Sequence, residues 1–145
     1  MTTAAALLAA SLLAQIVWTF AAMLRAGSAR FAAARAGLVD LERAALHTAA
    51  WPDDVLKRVN NMNNQFETPT LFYALVLLAL VLRIETLALA VLAWVYVASR
   101  VGHGLVQTGS NAIMARFRVF FLGVLCLMVM TAMIAIDLLR AALVS

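Results

Sequence analysis

The sequence predicts an all-α membrane protein, an antiparallel bundle of four transmembrane helices, on three observations. Hydrophobic residues fill 66% of the 145 positions and charged residues 12%, against roughly 45–50% and roughly 25% in soluble domains. A water-soluble domain of this size has no interior able to hide that much apolar surface. The apolar residues gather into four runs near the roughly 20 residues a bilayer requires. Between turn signals they show almost no strand-like alternation, so helices rather than a closed barrel satisfy the backbone in hydrocarbon. The length suits one domain, 1–145.

The first helix is expected at about 4–24. It has no basic residue before it and is longer than the apolar stretch of a signal peptide, so it reads as a retained span. The second is expected at about 53–82. Trp51, Pro52, Asp53 and Asp54 mark its start, with proline in the first turn and two carboxylates at the positive end of the helix dipole. Arg83, Ile84 and Glu85 make a short polar break, so the second and third helices form a tight hairpin. The third is expected at about 86–106 and the fourth at about 117–139. Gly109, Ser110 and Asn111 suit the turn between them.

Charge gives the orientation. Arg25, Arg30, Arg35, Arg43, Lys57, Arg58, Arg100, Arg116 and Arg118 fall on one side of the bundle, and only Arg83 and Arg140 on the other. The positive-inside rule puts the 24–58 and 107–118 loops in the cytoplasm. Topology therefore accounts for the net charge of +4 without a nucleic acid partner. The single Cys126 cannot form an internal disulfide, and no metal-ligand spacing, phosphate loop or nucleophile-elbow motif is present. Asp137 and Arg140 are spaced to pair. Trp94 and Tyr96 read as packing residues, and Trp18 and Trp51 as interfacial anchors.

Two polar stretches interrupt this apolar plan. Asn60, Asn61, Asn63, Asn64 and Gln65 precede Glu67 and Pro69. Asn60, Asn64 and Glu67 are spaced to share one helical face. An ionised group near membrane depth costs a few kcal/mol and marks a site or a paired charge. Pro69 removes the bond to the carbonyl of Gln65 and kinks the helix. On the third helix, Arg100, His103 and Gln107 again share a face, with Gly102 and Gly104 permitting close helix approach. The up-down topology brings both stretches to the same depth, near Arg116 and Arg118. A purely structural reading pairs Glu67 with Arg100 and makes the asparagines interhelical glue. The convergence of amides, a carboxylate, an imidazole and guanidinium groups instead suits an anionic, amide-rich small molecule.

At these residues the chain resembles the MAPEG family, the membrane-associated proteins of eicosanoid and glutathione metabolism. Asn64 and Glu67 fall on that family's Asn-x-x-Glu motif, Arg100 and His103 on its Arg-x-x-His motif, and Arg116 on its helix-four arginine. The likeness is greatest to short bacterial members and covers essentially the whole chain. It implies a homotrimer in a bacterial inner membrane, with glutathione bound between subunits at the cytoplasmic face and a lipophilic small molecule arriving from the membrane lipids. It implies Arg116 as the catalytic residue, stabilising the glutathione thiolate, and Asn64, Glu67, Arg100 and His103 as glutathione-binding residues; Asn60 and Gln107, which share their helical faces, are expected to join them through hydrogen bonds.

The sequence departs from the family enzymes at three positions: Asn60 stands near a common arginine, Gln107 near a common tyrosine, and Phe117 where a serine is common. Three functions remain open on sequence alone. One is a glutathione-dependent transferase or peroxidase acting on lipophilic electrophiles. The second is a non-catalytic lipid-binding or scaffold protein, as in the family's lipoxygenase-activating member. The third is a small transporter or proton relay using Glu67 and His103.

Overall fold

The computed structural model describes residues 1–144, the side chain of residue 144 excepted. Helix α1 runs Thr3–Arg35, starting where the hydroxyl of Thr2 accepts from the N–H of Ala5 at 3.0 Å. The sequence places the end of this helix near Leu24, but residues 25–35 continue it. They are mostly alanine and arginine, strong helix formers, and Ala26 and Ala33 pack against Val55 and Val59. At about 1.5 Å per residue, α1 is about 50 Å long and outruns the hydrocarbon core of about 30 Å. It stops at Gly37, whose φ of 67° allows the N–H groups of Gly37 and Leu38 to turn back onto Ala34 and Ala33 at 3.1 and 3.0 Å.

A short helix α2, Leu41–Leu46, and a single 3-10 turn, Thr48–Ala50, occupy the connection that follows. Neither is signalled by hydropathy; the Asp40 carboxylate nucleates α2 by accepting from the N–H groups of Glu42 and Arg43. The second span then starts as expected at Asp53, but it is not one helix. It comprises α3, Asp53–Asn63, a 3-10 turn, Asn64–Phe66, and α4, Thr68–Val81. The backbone leaves helical geometry at Glu67 (φ −98°, ψ −104°), and Pro69 enters in the first turn of α4, where its missing N–H costs nothing.

α4 closes on Arg83, whose φ of 57° lets the N–H groups of Arg83 and Ile84 reach Leu80 and Ala79. The hairpin turns there into α5, Leu87–Thr108, capped by the hydroxyl of Thr86. α6 spans Ile113–Val144, longer at both ends than expected. α1, α3 with α4, α5 and α6 are each long and apolar enough to cross a membrane.

The core between them is apolar, with Phe72 of α4 stacked on Tyr96 of α5 at 4.6 Å and Leu8, Val76, Leu89, Met130 and Ile134 packed around them. Trp94 turns outward and donates through Nε1 to the carbonyl of Leu7, so it is less buried than its mid-helix position suggests. Cys126 is buried, and Asp137 pairs with Arg140 at 3.7 Å. Leu13, Val17, Phe20, Leu125 and Met128 are exposed along the waist, where lipid is the matching solvent. The hydroxyl of Thr2 bonds Glu85 at 2.7 Å, which places the chain start beside the α4–α5 turn. The basic loops lie at the opposite end.

Gly27 sits on the exposed stretch of α1, and a Cβ there would meet nothing within 4 Å. Gly27→Ala is expected to raise the thermal midpoint of the detergent-solubilised protein, by up to about 1 kcal/mol of added helix stability. A lowered midpoint would mean that another copy of the chain presses on this face.

Candidate functional site

The interruption between α3 and α4 shapes the site. Breaking a helix frees backbone carbonyls, and within a membrane each needs a new partner. Two buried side chains supply them. Gln65 folds back so that its Nε2 donates to the carbonyl of Asn61 at 2.9 Å, while accepting from Nε2 of Gln15 on α1 at 3.2 Å. Arg100, only 2% exposed, reaches across from α5 and donates through Nη2 to the carbonyl of Asn64 at 2.7 Å. Glu67 is thereby held outside the helical ladder, with its side chain exposed at the break.

Two adjoining cavities open at this point on the basic end of the bundle. The first, about 350 Å³, is polar and is walled by Asn60, Asn64 and Glu67 on one side and Gln107 and Arg116 on the other. The second, about 310 Å³, shares Asn64, Glu67 and Arg116 and adds His103 with Ile113, Phe117 and Phe120. Each is near the lower end of the range of about 300–1,000 Å³ for small-molecule sites. Arg116 thus stands between an amide-rich compartment and an aromatic one.

The details fix several orientations. Asn64 Nδ2 donates to Gln107 Oε1 at 3.0 Å, tying the break to the end of α5. His103 is buried; its Nδ1 lies 3.2 Å from the carbonyl of Arg116, which can only accept, so Nδ1 carries a proton, while Nε2 has no hydrogen-bond partner among the described residues. The imidazole also packs against Phe120 with ring centres 6.0 Å apart. Arg116 Nη1 donates to Asn111 Oδ1 at 2.7 Å. Among the described residues no cation lies within 4 Å of the Glu67 carboxylate, so the Glu67–Arg100 pair of the purely structural reading does not form.

Six of the seven residues singled out in the sequence therefore border these cavities: Asn60, Asn64, Glu67, His103, Gln107 and Arg116. Arg100 does not. It lies behind the wall and holds the backbone of Asn64 in place. The structure adds Lys57, Asn63 and Asn111 to the polar compartment. Lys57 carried a signal, since it precedes Asn60 and Asn64 by three and seven residues on the same helical face. Asn111 carried only a turn signal.

These observations define a class: an integral membrane protein of four spanning helices with a polar cavity cut into its basic end. The chain belongs to the MAPEG family, which it matches over residues 4–136. Comparison with curated proteins and with solved structures gives no match.

Proposed function

We propose that the paired cavities bind glutathione and that the protein is a glutathione-dependent transferase or peroxidase acting on lipophilic electrophiles. The observation that carries this reading is the polarity of the site: an unpaired carboxylate, Glu67, and cations, Arg116 and Lys57, border one cavity with several amides between them. Glutathione has a matching pattern, an ammonium group for Glu67, carboxylates for the cations and two peptide groups for the amides. The aromatic compartment beyond Arg116 suits an apolar reactant entering from lipid. In transfer, the thiolate sulfur forms a bond to the electrophilic carbon as the leaving group departs. In peroxide reduction, two glutathione molecules give a disulfide while the hydroperoxide becomes an alcohol and water.

The cavities open at the surface of a single chain, which supports a homotrimer whose neighbouring subunit completes each site. The basic bias of this end supports a site facing the cytoplasm of a bacterial inner membrane. One observation favours a non-catalytic lipid-binding or scaffold role on the same fold: no side chain lining either cavity carries a hydroxyl to orient a thiol.

The test is ultraviolet difference absorbance on mixing purified protein with glutathione. A saturable thiolate band is expected. Glu67→Gln is expected to weaken glutathione binding by about tenfold or more, the loss of one charge-assisted contact. An analogue lacking the γ-glutamyl amine should bind the wild type and the variant alike. Saturable binding without a thiolate band would favour the scaffold, and no binding at all would end the glutathione reading.

A further inference from the structure

Residues 109–112 join α5 to α6, and Asn111 adopts φ 54° within this turn. Asparagine is one of the few side chains that tolerates this left-handed region. Its N–H donates to the carbonyl of Val106 at 2.7 Å, which ties the backbone to the end of α5. The side chain is then delivered to Arg116, five residues on, where Oδ1 accepts from Nη1 at 2.7 Å. A guanidinium only donates, so chemistry fixes the amide with its oxygen towards Arg116 and its NH₂ turned away. Both residues border the polar cavity. No carboxylate lies within 4 Å of Arg116 among the described residues, and its buried Nε has no partner.

We infer that Asn111 is a positioning residue: it fixes the Arg116 guanidinium at the boundary of the two cavities without neutralising it. Aspartate would hold the same fork equally well but would cancel the charge that an anionic ligand needs. A neutral amide orients the cation and leaves its field intact. The left-handed turn and the required acceptor together select asparagine, since glycine lacks the acceptor and other neutral side chains strain the backbone. The consequence for thiolate formation rests on the glutathione reading; the tether between Asn111 and Arg116 does not.

The experiment therefore has two arms, with Asn111→Gly keeping the backbone conformation and losing the tether, and Asn111→Asp keeping the tether and cancelling the charge. In the first arm, the protein without glutathione is treated with phenylglyoxal, and modification of Arg116 is followed by mass spectrometry. Asn111→Gly is expected to react about tenfold faster, in line with release of a hydrogen bond to a charged group. Asn111→Asp should react no faster than wild type. In the second arm, the pH midpoint of glutathione thiolate formation should rise in both variants, and more in Asn111→Asp. Unchanged Arg116 reactivity in Asn111→Gly overturns the inference. So does an Asn111→Asp midpoint equal to that of wild type. If the wild type binds no glutathione while Asn111→Gly still exposes Arg116, the glutathione reading fails and the positioning role stands.

Discussion

Replacing Gly104 with valine is expected to leave little folded protein. A Cβ at this position would lie 2.6 Å from Cζ2 of Trp18 and 2.8 Å from Oδ1 of Asn61, both far inside van der Waals contact. Neither neighbour can easily give way. The Trp18 ring lies against α5 on one side and under the Arg25 guanidinium, 5.5 Å from its centre, on the other. Asn61 is buried, and its carbonyl receives the Gln65 side chain that mends the broken helix. Pushing Asn61 aside therefore disturbs the interruption that presents Glu67. One extra methyl in a packed core costs about 1–3 kcal/mol, so Gly104→Ala should already lower the thermal midpoint clearly, and valine adds more bulk at the same point. Gly102→Ala is the control, since its Cβ would meet only Val119 Cγ1 at 3.4 Å. If Gly104→Ala melts with the wild type, α1 and α5 are less closely packed in solution than these distances require.

Composition and hydropathy carry the membrane class and the number of spans because both report the solvent around the chain. They report helix ends poorly. The hydropathy of α1 falls at Arg25, yet packing against α3 continues to Ala33 and helical hydrogen bonding to Arg35. Within the site, spacing predicted that Asn60, Asn64 and Glu67 come together, and they do line one cavity; the helix itself carries only Asn60 up to Asn64, and the interruption beyond delivers Glu67. Pro69 announced the kink. What the sequence could not convey is which side chains would satisfy the freed carbonyls. Arg100 shares a helical face with His103 and Gln107, so periodicity alone groups it with the cavity. The distance across to Asn64 is what removes it from the lining. Asn111 was missed for a similar reason: its importance comes from a backbone angle and a contact five residues away, and neither has a periodic signature.

Arg116→Ala should produce the largest functional loss. A free thiol with a pKa of about 8.5 is about 3% ionised at pH 7. A cation that favoured the thiolate by about 2.7 kcal/mol, two pKa units, would raise that to about 75%. Arg116 has the position for this task, since it borders both the polar compartment and the aromatic one where an electrophile would lie. Removing it should cut the thiolate signal at pH 7 by about 25-fold, returning the bound thiol to its unassisted ionisation. Glutathione affinity should fall less, because Glu67, Lys57 and the amides remain. The loss would therefore appear mainly in kcat rather than KM. Arg116→Lys keeps a charge but replaces the planar fork held by Asn111 with a mobile ammonium, so an intermediate signal is expected. Lys57 is the competing cation in the cavity wall. If Arg116→Ala keeps the full thiolate band and Lys57→Met abolishes it, the stabilising charge belongs to α3, and the role assigned to Arg116 is wrong.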